Sequence, residues 1–311
     1  MICLSILGTS IKVLVDHSDQ DNLLRSLVST FSRRYLPRVQ RVEYCEPVEA
    51  CIKWISGEGF IVESVYYGDE SSIPDYYTVR GGLPEAYVNE SPVFFLLQVY
   101  ARSLAKRGYV LLTDSVTISD GEKAILLLGY PHTGKSTISA IALTHGYSVL
   151  STENTIVKPT DNGIVVHGGT RVLVFDPRIR ELYGVKVESL EKTKHGYEIV
   201  DLERRDHPKL PQRVIGVYLI YTSFAATGSS LSPIKGRKIA KTIWYFATGL
   251  LKGIDYYEPS PLDIPIKGSV AETLTKLINT FVENYSVSFY EAFGSPLEVF
   301  KTIVEKSNLS I

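Results

Sequence analysis

The sequence predicts an α/β protein, and three observations carry that expectation. An unbroken apolar run, Ala124 to Leu128, leads straight into the glycine-bounded loop of "GYPHTGKS". Helical spacing follows in "KSTISAIALTH", and the chain then returns to β-type runs in "YSVLS" and "GIVVHGG". Strand, glycine loop, helix, strand is the order in which a nucleotide-binding α/β core is built. Around this core the sequence places a smaller N-terminal α+β region at residues 1–88 and two C-terminal helices within a second domain, 89–311.

Taken in order, residues 1–88 read as short apolar runs ("KVLVD", "GFIVESVYY", "YTVRGG") around one helix, "DNLLRSLVSTFSRRYLP", closed by Pro37. A second helix is predicted in "SPVFFLLQVYARSLAKRG". Ser91 suits the N-cap, Pro92 the first helical position, Lys106 and Arg107 the last turn, and Gly108 the C-terminal cap. "SVTIS" alternates and turns at Asp120-Gly121 into the strand that feeds the glycine loop. The charged stretch Glu191–Pro211 reads as a solvated hairpin or loop, and "VIGVYLIYTSF" as a buried strand. "ATGSSLSPIKGRK" reads as a loop before the helix "IAKTIWYFATGLLKG". Helices near 269–285 and 295–306 complete the chain.

Composition narrows the function classes. The 311 residues are 44% apolar and 22% charged, ordinary values for a globular protein. Lys plus Arg (33) balances Asp plus Glu (34), so there is no general basic field to attract nucleic acid or an anionic membrane. Any anion site must be local. Cys3, Cys45 and Cys51 fit neither a metal spacing nor a disulfide framework, so buried thiols in a reducing compartment are expected. The opening residues lack a signal peptide's pattern and no apolar run is long enough to span a bilayer, so the sequence reads as cytoplasmic. Met1 is the sole methionine and Gln occurs only at positions 20, 40, 98 and 212, a scarcity of thermolabile residues that hints at a thermophile.

Gly129-x-x-x-x-Gly134-Lys135-Ser136 matches the P-loop pattern in full, between the strand and helix that its mechanism requires. In such a loop the glycines let backbone N–H groups converge on phosphate oxygens at a helix N-terminus. Gly129, Tyr130, Pro131, His132, Thr133, Gly134, Lys135, Ser136 and Thr137 are therefore the expected nucleotide cradle. Lys135 reaches the β- and γ-phosphates, and Ser136 is the expected hydroxyl ligand to the nucleotide's Mg²⁺. The reacting groups of open α/β sheets lie at the carboxyl ends of the strands. At the end of "YSVLS" stand Thr152, Glu153 and Asn154. Glu153 is the carboxylate there, either as a base for an acceptor hydroxyl or as a Mg²⁺ ligand. Asn154 is a candidate substrate contact, and so is Arg171 in "GGTRVLV", whose planar fork suits a carboxylate or phosphate.

"LLLGYPHTGKSTISAIALTHGYSVLSTENTIV" resembles the HPr kinase/phosphorylase family, in which the P-loop helix leads to paired aspartates followed by Asn. The later "SPIKGRKIAKTIWYFAT" is similar to that family's Pro-Gly-Arg-Asn loop and the helix after it. The resemblance covers roughly Thr113 to Thr248. It implies a P-loop core of the HPr kinase/phosphoenolpyruvate carboxykinase type, with ATP and Mg²⁺ as cofactors and γ-phosphate transfer to a serine hydroxyl. By position, Glu153 falls on the second aspartate and Arg237 on the arginine that faces the phosphate, so Lys135, Glu153 and Arg237 are the implied catalytic set. Thr152 stands in place of the first aspartate and Lys238 in place of the loop's Asn, while "RIRELYG" at Arg178–Gly184 only echoes the family's Glu-Ile-Arg-Gly signature. With one carboxylate of the pair, the kinase half of the family's chemistry is better supported than the phosphorylase half. Archaeal members of this type phosphorylate free L-serine, which makes that small hydroxyl compound the leading acceptor. An HPr-type protein serine kinase and a nucleotide-sensing module without turnover are the alternatives. Oligomeric state is left open.

Overall fold

The computed structural model describes residues 1–68, 72–205, 209–253 and 262–310. In chain order the elements are β1 (Ile2–Ile6), β2 (Thr9–Leu14), α1 (His17–Leu27), α2 (Thr30–Tyr35), β3 (Gln40–Val42), β4 (Val48–Ile55), β5 (Phe60–Tyr66), β6 (Asp75–Gly81), α3 (Ser91–Lys106) and β7 (Val110–Leu112). There follow β8 (Ser115–Ser119), β9 (Lys123–Leu128), α4 (Lys135–Thr144), β10 (Ser148–Ser151), β11 (Thr155–Thr160), β12 (Gly163–Gly169), β13 (Val172–Phe175), α5 (Ile179–Tyr183), β14 (Glu191–Lys192) and β15 (Glu198–Asp201). The chain ends with β16 (Gln212–Thr222), β17 (Ser229–Pro233), α6 (Arg237–Lys252), α7 (Gly268–Asn284), β18 (Phe289–Gly294) and α8 (Pro296–Ser307). The protein is thus mixed α/β, as the sequence predicts.

Two compact units emerge, Met1–Leu111 with Ala247–Lys276, and Leu112–Phe246 with Leu277–Ile311. The sequence boundary at 88/89 differs from this division, because α3 belongs to the first unit and a later segment returns to it. α6 and α7 each run from one unit into the other, which linear order does not reveal.

The first unit holds a sheet in the order β3-β1-β2-β4-β6-β5, with β2, β4 and β6 parallel. The helix expected over 21–37 is two helices. Ser29 takes an extended conformation (ψ 152°) and its hydroxyl accepts from the Ser32 N–H, so the chain is capped afresh at Thr30. Leu36 is extended, as a residue before proline must be. Ser91 lies inside α3 rather than at its cap, which is Glu90, and Gly108 (φ +79°) follows the Arg107 C-cap as predicted. The expectation of three free thiols is corrected: Cys3 and Cys45 form a disulfide, with Cα atoms 5.5 Å apart. Cys3 pairs with Val42 across β1 and β3, three residues before Cys45, a juxtaposition made by the sheet and invisible in the spacing. Cys51 keeps its thiol, and burial raises its pKa. The disulfide removes the cysteine argument for a reducing compartment. Among the described residues no helix is long and apolar enough to cross a membrane.

The second unit's main sheet runs β10-β8-β9-β16-β12-β11, with β18 on β16 and β17 on β18. β9, β16 and β18 are mutually parallel neighbours. Their carboxyl ends, Leu128, Thr222 and Gly294, therefore lie at one sheet edge. β9 reads as a continuous apolar run because both faces of its sheet are covered, and Ala124 to Leu128 are fully buried. α4 and α8 pack on the face that carries Ile125, Leu127, Tyr218, Ile220 and Ala292. Two strands escape the sequence reading. β17 lies in the expected Ser/Gly-rich loop, and β18 lies between the last two helices. The Glu191–Pro211 stretch contains the hairpin β14–β15, paired to β13, while its residues 206–208 lie outside the described set.

A charged cluster is buried in the first unit. Asp75, fully buried on β6, accepts hydrogen bonds from Arg102 Nε (2.8 Å), the Gly68 N–H (2.9 Å) and the Tyr77 hydroxyl (3.3 Å). Lys106 Nζ stands 3.4 Å from its carboxylate. Arg102 also donates to the carbonyls of Gly68 and Pro265, and its guanidinium lies over the Tyr67 ring, whose hydroxyl pKa burial pushes up to about 12. Removing one partner of a buried ion pair strands the other charge, at a cost of about 3–5 kcal/mol. Asp75→Ala is therefore expected to lose that much in urea unfolding, and Asp75→Ala combined with Arg102→Met to lose less. Equal losses in the single and double variants would show that Arg102 is not the stranded charge.

Candidate functional site

The glycine loop forms the turn between β9 and α4, where the sequence places it. Three backbone constraints shape it. Gly129 has no room for a Cβ, which would press on Thr133 Oγ1 and Ile220. Gly134, the N-cap of α4, is left-handed (φ +97°), and a Cβ there would collide with the Thr222 hydroxyl. His132 is also left-handed (φ +63°), a conformation that costs a non-glycine residue. The loop is tied down at Thr133. Its N–H and hydroxyl both donate to the Tyr130 carbonyl, and its own carbonyl accepts from the N–H (3.0 Å) and hydroxyl (2.9 Å) of Thr222 at the end of β16. The N-cap Gly134 has no side chain to cap α4, whose first-turn N–H groups stand at the loop.

Lys135 opens α4 and is 7% exposed. Its ammonium donates to Asp114 Oδ1 (2.7 Å) and to the carbonyls of Gly129 (2.5 Å) and Tyr130 (3.0 Å). Asp114, the ionic partner of Lys135, is a residue of this edge that the sequence reading missed. It is fully buried, left-handed (φ +50°), and sits just before β8. Because β8 runs antiparallel to β9 and β10, its start lies at the edge where those strands end. The Asp114 carbonyl accepts from the Gly129 N–H (3.2 Å), and the Ser115 N–H donates to the Glu153 carbonyl (2.9 Å). Asp114–Ser115 thus joins the glycine loop to the turn that carries Glu153. The one available signal was the Asp in the turn before "SVTIS", too common a turn residue to single out.

Glu153 is 7% exposed and Asn154 fully buried. Their turn is held by Thr170, whose hydroxyl accepts from the N–H groups of Glu153 (2.9 Å) and Asn154 (3.0 Å). The Thr152 hydroxyl donates to the carbonyls of Thr170 (3.1 Å) and Val172 (2.9 Å). Thr152 therefore braces the turn, leaving Glu153 as its carboxylate. Ser136 is half-buried in the first turn of α4, Thr137 is buried behind it, and His132 is exposed. Among the described residues no group of three His, Cys, Asp or Glu side chains could hold a metal by itself. Mg²⁺ bound with a nucleotide needs only one or two protein oxygens besides phosphate and water, and the Ser136 hydroxyl and Glu153 carboxylate are of that kind.

Arg171 donates from Nη1 to the Val149 carbonyl (2.5 Å) and from Nη2 to the Leu202 carbonyl (3.0 Å). Arg237 is exposed at the first residue of α6, and the neighbouring Lys238 pairs with Glu291 (2.8 Å). Tyr130 of the loop packs on Tyr245 (4.9 Å between ring centroids) and Phe246 of the same helix. Arg237 precedes Tyr245 by eight residues, about 12 Å along the axis. In "RIRELYG", Arg178 pairs with Asp176 and holds that carboxyl below its usual range, while Arg180 pairs with Glu198 on β15.

No family model matches the chain, and no curated protein matches it at a significant level.

The left-handed N-cap yields a direct expectation. Gly134→Ala should destabilise the protein by roughly 1–3 kcal/mol in urea unfolding, from the strained backbone and the Thr222 clash. Wild-type stability in this variant would mean that the loop geometry is not imposed by Gly134.

Proposed function

We propose that this protein is an ATP-dependent kinase that transfers the γ-phosphate to the hydroxyl of a small molecule, with free L-serine as the acceptor, giving O-phospho-L-serine and ADP. The observation that carries the reading is Lys135, buried at the start of α4 within a complete P-loop and facing a sheet edge where Asp114 and Glu153 converge. The resemblance to the HPr kinase/phosphorylase family supplies the reaction class and the acceptor. A carboxylate beside the loop favours turnover over nucleotide sensing alone.

In this mechanism the acceptor hydroxyl oxygen attacks the γ-phosphorus as the bond to the β–γ bridging oxygen breaks, and ADP leaves with that electron pair. Glu153 takes the hydroxyl proton. Lys135 exchanges its loop carbonyls for phosphate oxygens and stabilises the charge that shifts toward the leaving group. Asp114 holds the ammonium in place while that exchange occurs. The Gly129–Gly134 backbone and the first turn of α4 fix the phosphate chain in line. The Ser136 hydroxyl would help to hold the nucleotide's Mg²⁺, which would supply neutralising charge to the phosphates. Arg237, at the start of α6, is the residue that the family resemblance assigns to the migrating phosphoryl group, through its fork rather than its charge alone. Thr152, braced on Thr170 and Val172, takes no part in proton transfer.

The deciding assay supplies ATP and Mg²⁺ with a panel of free hydroxy amino acids and follows ADP and phosphorylated product. O-phospho-L-serine supports the proposal. Product on a protein serine alone points to a protein kinase, and nucleotide binding without ADP release points to a sensor. Lys135→Ala is expected to lower kcat by roughly 10²–10³ in a folded protein. Glu153→Gln is expected to lower it by roughly 10² or more. If excess Mg²⁺ restores the Glu153→Gln rate, Glu153 is a metal ligand and not the base. Unchanged kcat in both variants would remove this site from the reaction.

A further inference from the structure

Beside the phosphate loop the second unit carries a row of aromatic rings that the mechanism above does not use. Tyr221 and Phe293 are register partners on the parallel strands β16 and β18, with ring centroids 5.2 Å apart and planes 11° from parallel. Leu219 pairs with Leu128, so two residues further on Tyr221 is level with Tyr130 of the loop, and those rings stand 6.4 Å apart. The three rings therefore cross the carboxyl edge of three adjacent strands, the edge at which ligands of open α/β sheets bind. They lie on the face opposite that of Tyr218, Ile220 and Ala292, because side chains alternate along a strand. On that face α6 forms the neighbouring wall, through Tyr245 against Tyr130 and Lys238 against Glu291.

The row is open at its far end. Phe293 is 40% exposed, and its register partner on β17 is Ser230, a small exposed residue. The exposed phenylalanine ends a row that begins at Tyr130, whose ring is tilted 35° to that of Tyr221; the inner face of Phe293 lies on Tyr221, and its exposed side offers an apolar surface to a planar group reaching past the loop. Burial raises the Tyr221 hydroxyl pKa, so its ring is neutral throughout the physiological range. Strands lie about 4.8 Å apart, which sets Phe293 about 10 Å from the loop strand. That distance is comparable to the reach from a nucleotide's inner phosphates across the ribose to the base.

We propose that the Tyr130–Tyr221–Phe293 row is the seat of the nucleoside triphosphate's base, held by stacking while the phosphates lie on Gly129–Ser136. The inference rests on the kinase reading and adds to it the part of the donor that a P-loop does not recognise. Aromatic stacking is sequence-tolerant, since every base has a π-face. The seat therefore selects a nucleotide over bare polyphosphate and discriminates little among purines.

The test compares ATP and inorganic tripolyphosphate, each with Mg²⁺, by calorimetry on wild type, Phe293→Ala and Phe293→Tyr. Phe293→Ala is expected to weaken ATP binding roughly tenfold or more, with tripolyphosphate affinity within about twofold of wild type and Phe293→Tyr restoring ATP binding. Equal weakening of both probes would make the row a structural support for the loop and overturn the proposal. Unchanged ATP affinity would overturn it as well. If wild type binds tripolyphosphate no more weakly than ATP, the base has no seat. If wild type binds neither, the phosphate-loop reading itself falls, a result distinct from the others.

Discussion

A lysine ammonium that is almost fully buried must be surrounded by acceptors, and Lys135 takes them from two segments of chain: the Asp114 carboxylate and two carbonyls of its own loop. Much of the second unit's working edge follows from that requirement. Asp114 must be brought to the end of β9, which the antiparallel β8–β9 hairpin does, and it is held there in a left-handed conformation. The next peptide then anchors the Glu153 turn. Thr222 fixes the loop from the other side through Thr133, and its hydroxyl fills the space that restricts position 134 to glycine. A phosphate arriving at this edge offers Lys135 stronger, charged acceptors in place of neutral carbonyls.

The parts of this site that were legible in the sequence are those in which backbone geometry dictates residue type. Glycines at 129 and 134, followed by Lys-Ser at a strand-to-helix transition, leave little else to read. Glu153 was found because it lies at the end of a recognisable strand. Asp114 was not, because its role is created by a strand pairing, and one Asp in a turn carries no signal of its own. Arg171 was read from its chemistry, a planar fork that suits a substrate clamp, and the fold adds bonds from its terminal nitrogens to the carbonyls of Val149 and Leu202. β17 and β18 were missed for a related reason. "SSLSP" has no apolar alternation, and it is a strand only because β18 lies beside it.

The first unit shows how far composition can mislead. An odd number of cysteines without a framework argues for thiols, yet β1 and β3 bring Cys3 to Cys45. Disulfides accumulate in oxidising compartments and also inside hyperthermophiles. The Asp75–Arg102–Lys106 cluster ties β6 to α3 by charge. Its sequence carries no trace beyond Arg102 and Lys106, four residues apart on one face of a helix that reads as almost wholly buried.

The claim on which the account turns is that Lys135 exchanges its loop carbonyls for phosphate. A crystal structure of the protein with Mg·ADP tests it most directly. The β-phosphate is expected on the N–H groups of Gly129–Ser136, with the Lys135 ammonium released from Gly129 and Tyr130 and within hydrogen-bond distance of a phosphate oxygen. A nucleotide bound elsewhere, with Lys135 still donating to those two carbonyls, would contradict it.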